Sequence, residues 1–324
     1  MSENVFININ EQHPDLSVKI AGVNFRNPVI AASGTFGYGS EYAELFDVSL
    51  LGGICTKALT MNPRTGNTGI RIWETPSGLL NSIGLENPGI HYFLENELPR
   101  LRKMGPVIIA NLSGAESDEY VNGASLLDES DVDMIELNIS CPNVKAGGLA
   151  FGLDPETAAT LTAAVRRVCS SKPLMVKLSP NAPSLSAVAL ACVNAGADAL
   201  SLVNTFRAMA IDIEKRKPVF DNTIAGLSGP AIRPIALRMV WELFDALKEA
   251  KAQVPIVGIG GIACTNDAIE FLMAGAAAFQ VGSATFVNPH TMADIIDGLQ
   301  QYMKNKGISK LGEISLRETY GKNN

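Results

Sequence analysis

The chain has 324 residues, of which 47% are hydrophobic and 18% charged, and its formal net charge is −7. That acidic balance, with no run of basic residues, argues against a nucleic-acid groove. No uninterrupted apolar stretch reaches the roughly 18 residues that span a bilayer, so no membrane segment is expected. The opening Met1-Ser2-Glu3-Asn4 lacks the basic-then-apolar pattern of an export leader, and a cytoplasmic protein is expected.

In chain order, Ser17 to Phe25 comes first and alternates apolar and polar residues around Ala21-Gly22. It reads as a hairpin closing the bottom of a barrel. Eight apolar runs of strand length follow: Pro28 to Ala32, Gly53 to Lys57, Val107 to Asn111, Met134 to Ile139, Leu174 to Leu178, Ala199 to Val203, Ile256 to Ile259 and Ala278 to Val281. They are rich in Val, Ile and Leu with little alternation, as parallel strands covered on both faces should be. Amphipathic helices lie between the later runs. Asp154 to Val168 opens with a capping aspartate and a first-turn proline. Ser184 to Ala195 ends at Gly196, Pro230 to Ala250 is the longest, and Thr265 to Ala274 stops at Gly275. Asn81-Ser82-Ile83-Gly84-Leu85 reads as a polar loop between the second and third strands, after which Asn87-Pro88-Gly89 turns the chain into a helix. Arg207 to Leu227 has weak helical periodicity and reads as a second excursion on the top face.

Strands alternating with helices over this length predict an α/β protein, a (β/α)8 TIM barrel with an N-terminal hairpin beneath it and insertions above it. A doubly wound sheet is disfavoured because no Gly-x-Gly-x-x-Gly follows the first strand. With no linker, low-complexity tract or internal repeat, residues 1–324 read as one domain. The five cysteines, Cys55, Cys141, Cys169, Cys192 and Cys264, are scattered and form no Cys-x-x-Cys pair, which fits reduced thiols and neither a zinc knuckle nor an iron–sulfur cluster. The three histidines, His13, His91 and His290, show no metal-ligand spacing, so no metal site is expected.

In a barrel of this kind the carboxyl ends of the strands face the active site. Those ends read Ser33-Gly34, Thr56-Lys57, Asn111, Asn138 with Cys141, Lys177, Asn204-Thr205, Gly260-Gly261 and Gly282-Ser283. The set is almost wholly polar, small or cationic and suits a flat, hydrogen-bonding, electron-rich ligand. The last two pairs suit a phosphate, because paired glycines let backbone amides point at an anion. Lys177 and Lys57 read as cations in an otherwise neutral mouth, or as an amine for Schiff-base chemistry. Cys141 sits in Asn138-Ile139-Ser140-Cys141-Pro142-Asn143-Val144-Lys145, just past a strand and before the glycine-rich Ala146 to Gly152. A thiol on such a loop reads as nucleophile or base.

These residues resemble the class 1 dihydroorotate dehydrogenases, flavin enzymes of pyrimidine synthesis. The resemblance covers about residues 17–305 and rests on Asn81 to Leu85, Asn138 to Asn143 and the Gly-Gly and Gly-Ser pairs. The Val144-Lys145-Ala146-Gly147-Gly148 continuation is similar to the 1B subclass. The resemblance implies an FMN across the barrel mouth, its phosphate on Gly260, Gly261, Gly282 and Ser283. It implies a ring met by Ser33, Lys57, Ala58, Asn111, Asn138, Lys177, Val203 and Gly229, with Lys177 favouring the anionic reduced flavin. Dihydroorotate is expected on Lys57, Asn81, Ser82, Ile83, Gly84, Leu85, Asn138, Asn204 and Thr205. Cys141 is the expected base at carbon 5 while carbon 6 gives hydride to the flavin. An ordinary thiol titrates near pH 8.5, about the value that makes activity rise with pH. The 1B enzymes also imply a second chain that carries FAD and an iron–sulfur cluster and passes electrons to NAD. The expected assembly is a homodimer of catalytic chains within a heterotetramer.

Two rivals share the barrel. A flavin barrel acting on another pyrimidine, such as a dihydropyrimidine dehydrogenase module, would turn over dihydrouracil; a dihydrouridine synthase would need a basic surface, which the acidic balance opposes. A phosphate-binding lyase or aldolase would be colourless and would trap an adduct at Lys177.

Overall fold

The computed structural model describes residues 14–140 and 151–317. The N-terminal hairpin is formed by β1 (Val18–Ile20) and β2 (Val23–Phe25), paired antiparallel with Ile20 opposite Val23. Its two-residue turn takes φ of 47° at Ala21 and 89° at Gly22. Both values lie in the left-handed region that a tight hairpin turn needs, and glycine enters it without steric cost.

Eight parallel strands close a barrel: β3 (Val29–Ala31), β4 (Gly53–Cys55), then, after two strands of a separate sheet, β7 (Val107–Leu112), β8 (Met134–Asn138), β9 (Leu174–Lys177), β10 (Ala199–Leu202), β15 (Ile256–Ile259) and β16 (Ala278–Val281). The closing pairs are β16 with β3 and β10 with β15. The fold is the (β/α)8 barrel, and each of the eight anticipated strands falls where an apolar run does. Ile30, Cys55, Ile109, Met134, Met175, Ala199, Val257 and Ala278 form one buried cluster to which each barrel strand gives one side chain. Ile20 and Phe25 of the hairpin complete the same cluster. The hairpin thus plugs the barrel from below, and the interior above it is free to carry polar groups.

Helices wrap the outside. Asp154 caps Pro155–Val168 by accepting from Thr157 N at 2.8 Å, and Ser184 caps Leu185–Asn194 through Ala187 N. The segment expected as one helix from Pro230 starts instead as the 3-10 turn Pro230–Ile232 and becomes α-helical over Arg233–Glu249. Thr265–Met273 ends before Gly275, whose φ of 108° permits the turn back into β16. Among the described residues no helix is long and apolar enough to cross a membrane.

The top face carries a four-stranded antiparallel sheet in the order β11-β14-β6-β5. It joins β5 (Ile72–Thr75) and β6 (Gly78–Asn81), inserted after β4, to β11 (Phe206–Ala208) and β14 (Ala225–Ser228), inserted after β10. A small hairpin, β12 (Ile211–Asp212) with β13 (Lys217–Pro218), extends from the second insert. The two excursions expected as loops are therefore partly strands. Asn81 ends β6 opposite Gly226 of β14, and only Ser82 to Leu85 remain irregular.

Candidate active site

The strand ends and the top sheet surround an open cavity. Ile72, Leu79, Asn81 and Ser228 bring the sheet into its wall, and Ser33 and Ala58 stand beyond the ends of β3 and β4.

One side is built from three glycine-led turns, with Gly229, Gly260, Gly261, Gly282 and Ser283 all facing the cavity. Gly260 and Gly261 have φ of 134° and 73°. A Cβ on Gly261 would lie 2.7 Å from the Gly229 carbonyl oxygen, and one on Gly260 would lie 2.7 Å from Ala236 Cβ. Gly261 approaches Gly229, and Gly260 the Arg233–Glu249 helix, only because their side chains are missing, and with Gly282 and Ser283 they form a small cradle on the cavity wall. The helix after Gly260-Gly261 begins only at Thr265, so this cradle is made of turns rather than of that helix's first residues.

The floor is polar and charged. Glu136 on β8 is wholly buried, and four side chains from four other strands donate to it. Asn111 Nδ2 reaches Oε1 at 2.6 Å and Cys55 Sγ reaches the same oxygen at 3.2 Å. Ser201 Oγ and Gln280 Nε2 reach Oε2 at 2.8 and 2.7 Å. Lys177 Nζ lies 3.7 Å from Oε1 and also faces the cavity. Burial pushes the Glu136 carboxyl up, but Lys177 and the Cys55, Gln280 and Ser201 donors outweigh it and hold the carboxyl below its ordinary range. Burial, reinforced by the Glu136 charge, pushes the Cys55 thiol well above its ordinary value, so Cys55 is a neutral donor.

From this carboxylate a chain of amides climbs to the cavity. A carboxylate only accepts, so Asn111 turns its Nδ2 down and its Oδ1 up. That oxygen accepts from Asn138 Nδ2 at 3.3 Å. Asn138 Oδ1 in turn accepts from Ser140 Oγ at 3.1 Å and Asn204 Nδ2 at 3.4 Å. Asn204 Nδ2 also donates to Ser140 Oγ at 2.9 Å, and Asn204 Oδ1 accepts from Thr205 N at 2.9 Å. Asn138, Asn204, Thr205 and Val203 line the cavity; Asn111 is one layer beneath it. Tyr120 Oη donates to the Asn138 carbonyl at 3.0 Å and fixes that strand end.

At the mouth, Lys57 Nζ lies 3.6 Å from Glu86 Oε2, which Arg71 also holds at 2.8 Å. The Arg71 hydrogen bond and the Lys57 charge keep the Glu86 carboxyl below its usual range. The cavity expected to be neutral apart from two lysines therefore sets a carboxylate beside each of them, Glu136 at Lys177 on the floor and Glu86, shared with Arg71, at Lys57 in the mouth. Asn81, Ile83, Gly84 and Leu85 face the cavity, whereas Ser82 turns its hydroxyl to Asn67 Nδ2 at 3.0 Å and is buried outside the lining. Gly84 has φ of 76°, and a Cβ there would lie 2.4 Å from Asn67 Oδ1. Leu85 also has a positive φ, 58°, a strained value for a leucine, and its carbonyl accepts from Asn87 Nδ2 at 2.7 Å. Cys141 lies outside the described residues.

A lone carboxylate inside Met134-Ile135-Glu136-Leu137, a run buried on both faces, is the signal that sequence reading passed over. Its partners Ser201 and Gln280 are polar residues in equally apolar strands. Phe286, at the end of the turn after Ser283, also lines the cavity and carried no sequence signal.

Residues 15–303 match the family described as dihydroorotate dehydrogenase. The chain is 58% identical over 300 residues to the dihydroorotate dehydrogenase B (NAD(+)) catalytic subunit of Petrotoga mobilis, spanning 93% of this chain and 98% of that protein. It is 51% identical over 302 residues to the subunit of the same description from Geotalea daltonii, spanning 93% and 97%. A third such subunit, from Caldicellulosiruptor bescii, is 49% identical over 300 residues, spanning 93% and 98%.

Proposed function

The chain belongs to the dihydroorotate dehydrogenase family, and on that premise we propose that it is the catalytic subunit of an NAD-linked, class 1B enzyme that oxidises (S)-dihydroorotate to orotate in de novo pyrimidine biosynthesis. The observation that carries this reading is one cavity in which a glycine cradle, a lysine on the floor, a lysine at the mouth and a file of amides meet. The family implies a flavin, and the residues fit FMN. The cradle of Gly260, Gly261, Gly282 and Ser283, whose tight packing excludes a Cβ at Gly260 or Gly261, suits its single phosphate. Ser33, Lys57, Ala58, Asn138, Val203 and Gly229 are available to its ring, with Lys177 below and Asn111 supporting from one layer down.

FMN, when bound, supplies the acceptor for the hydride leaving carbon 6 of the substrate. The chain's own residues do the rest. Lys57, steadied by Glu86, meets the substrate carboxylate. Asn81, Asn138, Asn204 and Thr205 hold the polar ring edge, with Ile83, Gly84 and Leu85 forming the wall and Ser82 bracing it from behind. Cys141 takes the carbon 5 proton. Electrons leave through a partner subunit with FAD and an iron–sulfur cluster and end on NAD. The catalytic chains form a homodimer within a heterotetramer.

The test is anaerobic. The purified full chain, loaded with FMN, is expected to lose its visible flavin band when dihydroorotate is added and to keep it with dihydrouracil. A flavin band that persists with dihydroorotate would move the substrate elsewhere. A chain that takes up no FMN and traps an adduct at Lys177 would replace the reading with lyase chemistry.

A further inference from the structure

We propose that Glu136 is a positioning residue acting on the cofactor through Lys177: its buried negative charge offsets the Lys177 ammonium and lowers the affinity of the bound flavin for electrons. The inference rests on the reading that FMN lies in the cavity. Three observations carry it. Glu136 is wholly buried, so solvent does not screen its charge. Its Oε1 is 3.7 Å from Lys177 Nζ, an ion-pair separation longer than a hydrogen bond, which leaves the ammonium hydrogens available to the cavity that Lys177 lines. Asn111 and Cys55 on one oxygen, with Ser201 and Gln280 on the other, provide far more donors than a structural link to one lysine requires. They keep the group ionised inside the barrel. Reduction of a flavin held in the cavity would add electrons near Lys177, and the fixed anion beneath the lysine would oppose that gain.

The network also supplies a way to remove the charge. Gln280 Oε1 is buried and has no hydrogen-bond partner among the described residues. In Glu136→Gln the new carboxamide nitrogen is placed on the Oε2 side, where Gln280 turns to present that free oxygen and the Ser201 hydroxyl rotates to accept. The oxygen facing Asn111 and Cys55 is kept, so the amide file up to Asn204 keeps its polarity. The substitution therefore removes the charge, keeps the Asn111 and Cys55 bonds and gives the new amide two acceptors, at the cost of the bond that the Gln280 amide nitrogen now makes.

The experiment measures the two-electron midpoint potential of FMN on the full chain, together with the dissociation constant of sulfite, which adds to flavins more tightly as they become more electron-poor. Glu136→Gln is expected to tighten sulfite about tenfold, equivalent to about 30 mV of more positive potential for a two-electron couple. Lys177→Gln is expected to move both readings the other way, and the double variant to return toward wild type, since the two charges cancel. If Glu136→Gln alone does not fold, the difference between Lys177→Gln and the double variant isolates the same charge. Potential and sulfite affinity unchanged or shifted oppositely on loss of the Glu136 charge would overturn the proposal. Failure of the wild-type chain to bind FMN would instead strike the reading beneath it.

Discussion

At Glu136 and Cys55 two ionisable side chains in contact are held in opposite states. Glu136 is surrounded by donors and kept ionised in the barrel interior, while Cys55, a thiol beside it, is kept neutral. Cys141, on the proposal above, is the base, and Cys141→Ser should retain FMN yet slow flavin reduction by roughly 10²- to 10⁴-fold, the usual weight of a general base. Stopped-flow reduction by dihydroorotate reads this directly; a near-wild-type rate would remove the thiol from the chemistry. Glu136 also makes a stability statement. Its folded carboxyl titrates below the unfolded value, so its contribution is present above about pH 4.3 and is lost as pH falls through the lower folded value. Urea unfolding on the acid side should therefore show the wild type losing stability more steeply than Glu136→Gln, the other carboxylates being common to both. Parallel curves would mean that Glu136 titrates alike in both states. Neither use of Glu136 was legible beforehand. The anomaly of one charge in an apolar strand is visible in sequence, but its meaning depends on partners from β4, β7, β9, β10 and β16 that only the closed barrel brings together.

The elements differ in how openly the sequence declares them. The barrel strands are covered on both faces, so burial writes them as unbroken apolar runs, and all eight were readable. The helices with Asp154 and Ser184 at their starts were readable because capping is local. The top sheet was not. Ile72, Trp73 and Glu74 of β5 are exposed, so no apolar face marks the strand, and β14 exists by virtue of a partner far away in sequence. The floor hairpin was legible from its alternation, and it invites a test. Phe25 is buried against the lowest barrel layer, so Phe25→Ala should cost about 3–5 kcal/mol of unfolding free energy. FMN affinity of the folded fraction should stay near wild type, because the cavity lies at the opposite end. A destabilisation under about 1 kcal/mol would show that the plug is loosely packed.

For the molecule as a whole, the barrel holds the cradle, floor and mouth together, but the chain is proposed to perform only half of an electron transfer. The FMN-loaded chain alone should be reduced by dihydroorotate once and then stall with NAD. Addition of the electron-transfer subunit should restore continuous turnover, followed as NADH absorbance. Steady NAD reduction by the lone chain would mean that the second subunit is dispensable. The chemistry of the mouth was readable from the sequence as a list of strand-end residues, because the barrel rule assigns those ends to one face. Its charge balance was not, since Glu86 and Glu136 lie outside that list. The roof over the cavity is a single sheet stitched from two inserts, with Asn81 donating to the Gly226 carbonyl across 145 residues of chain. Each insert contributes a two-stranded unit, and the β6–β14 register joins the two into one roof. The roof thus ties two distant stretches of chain into one surface, so a change of length in either strip shifts the edge that the other meets above the cavity.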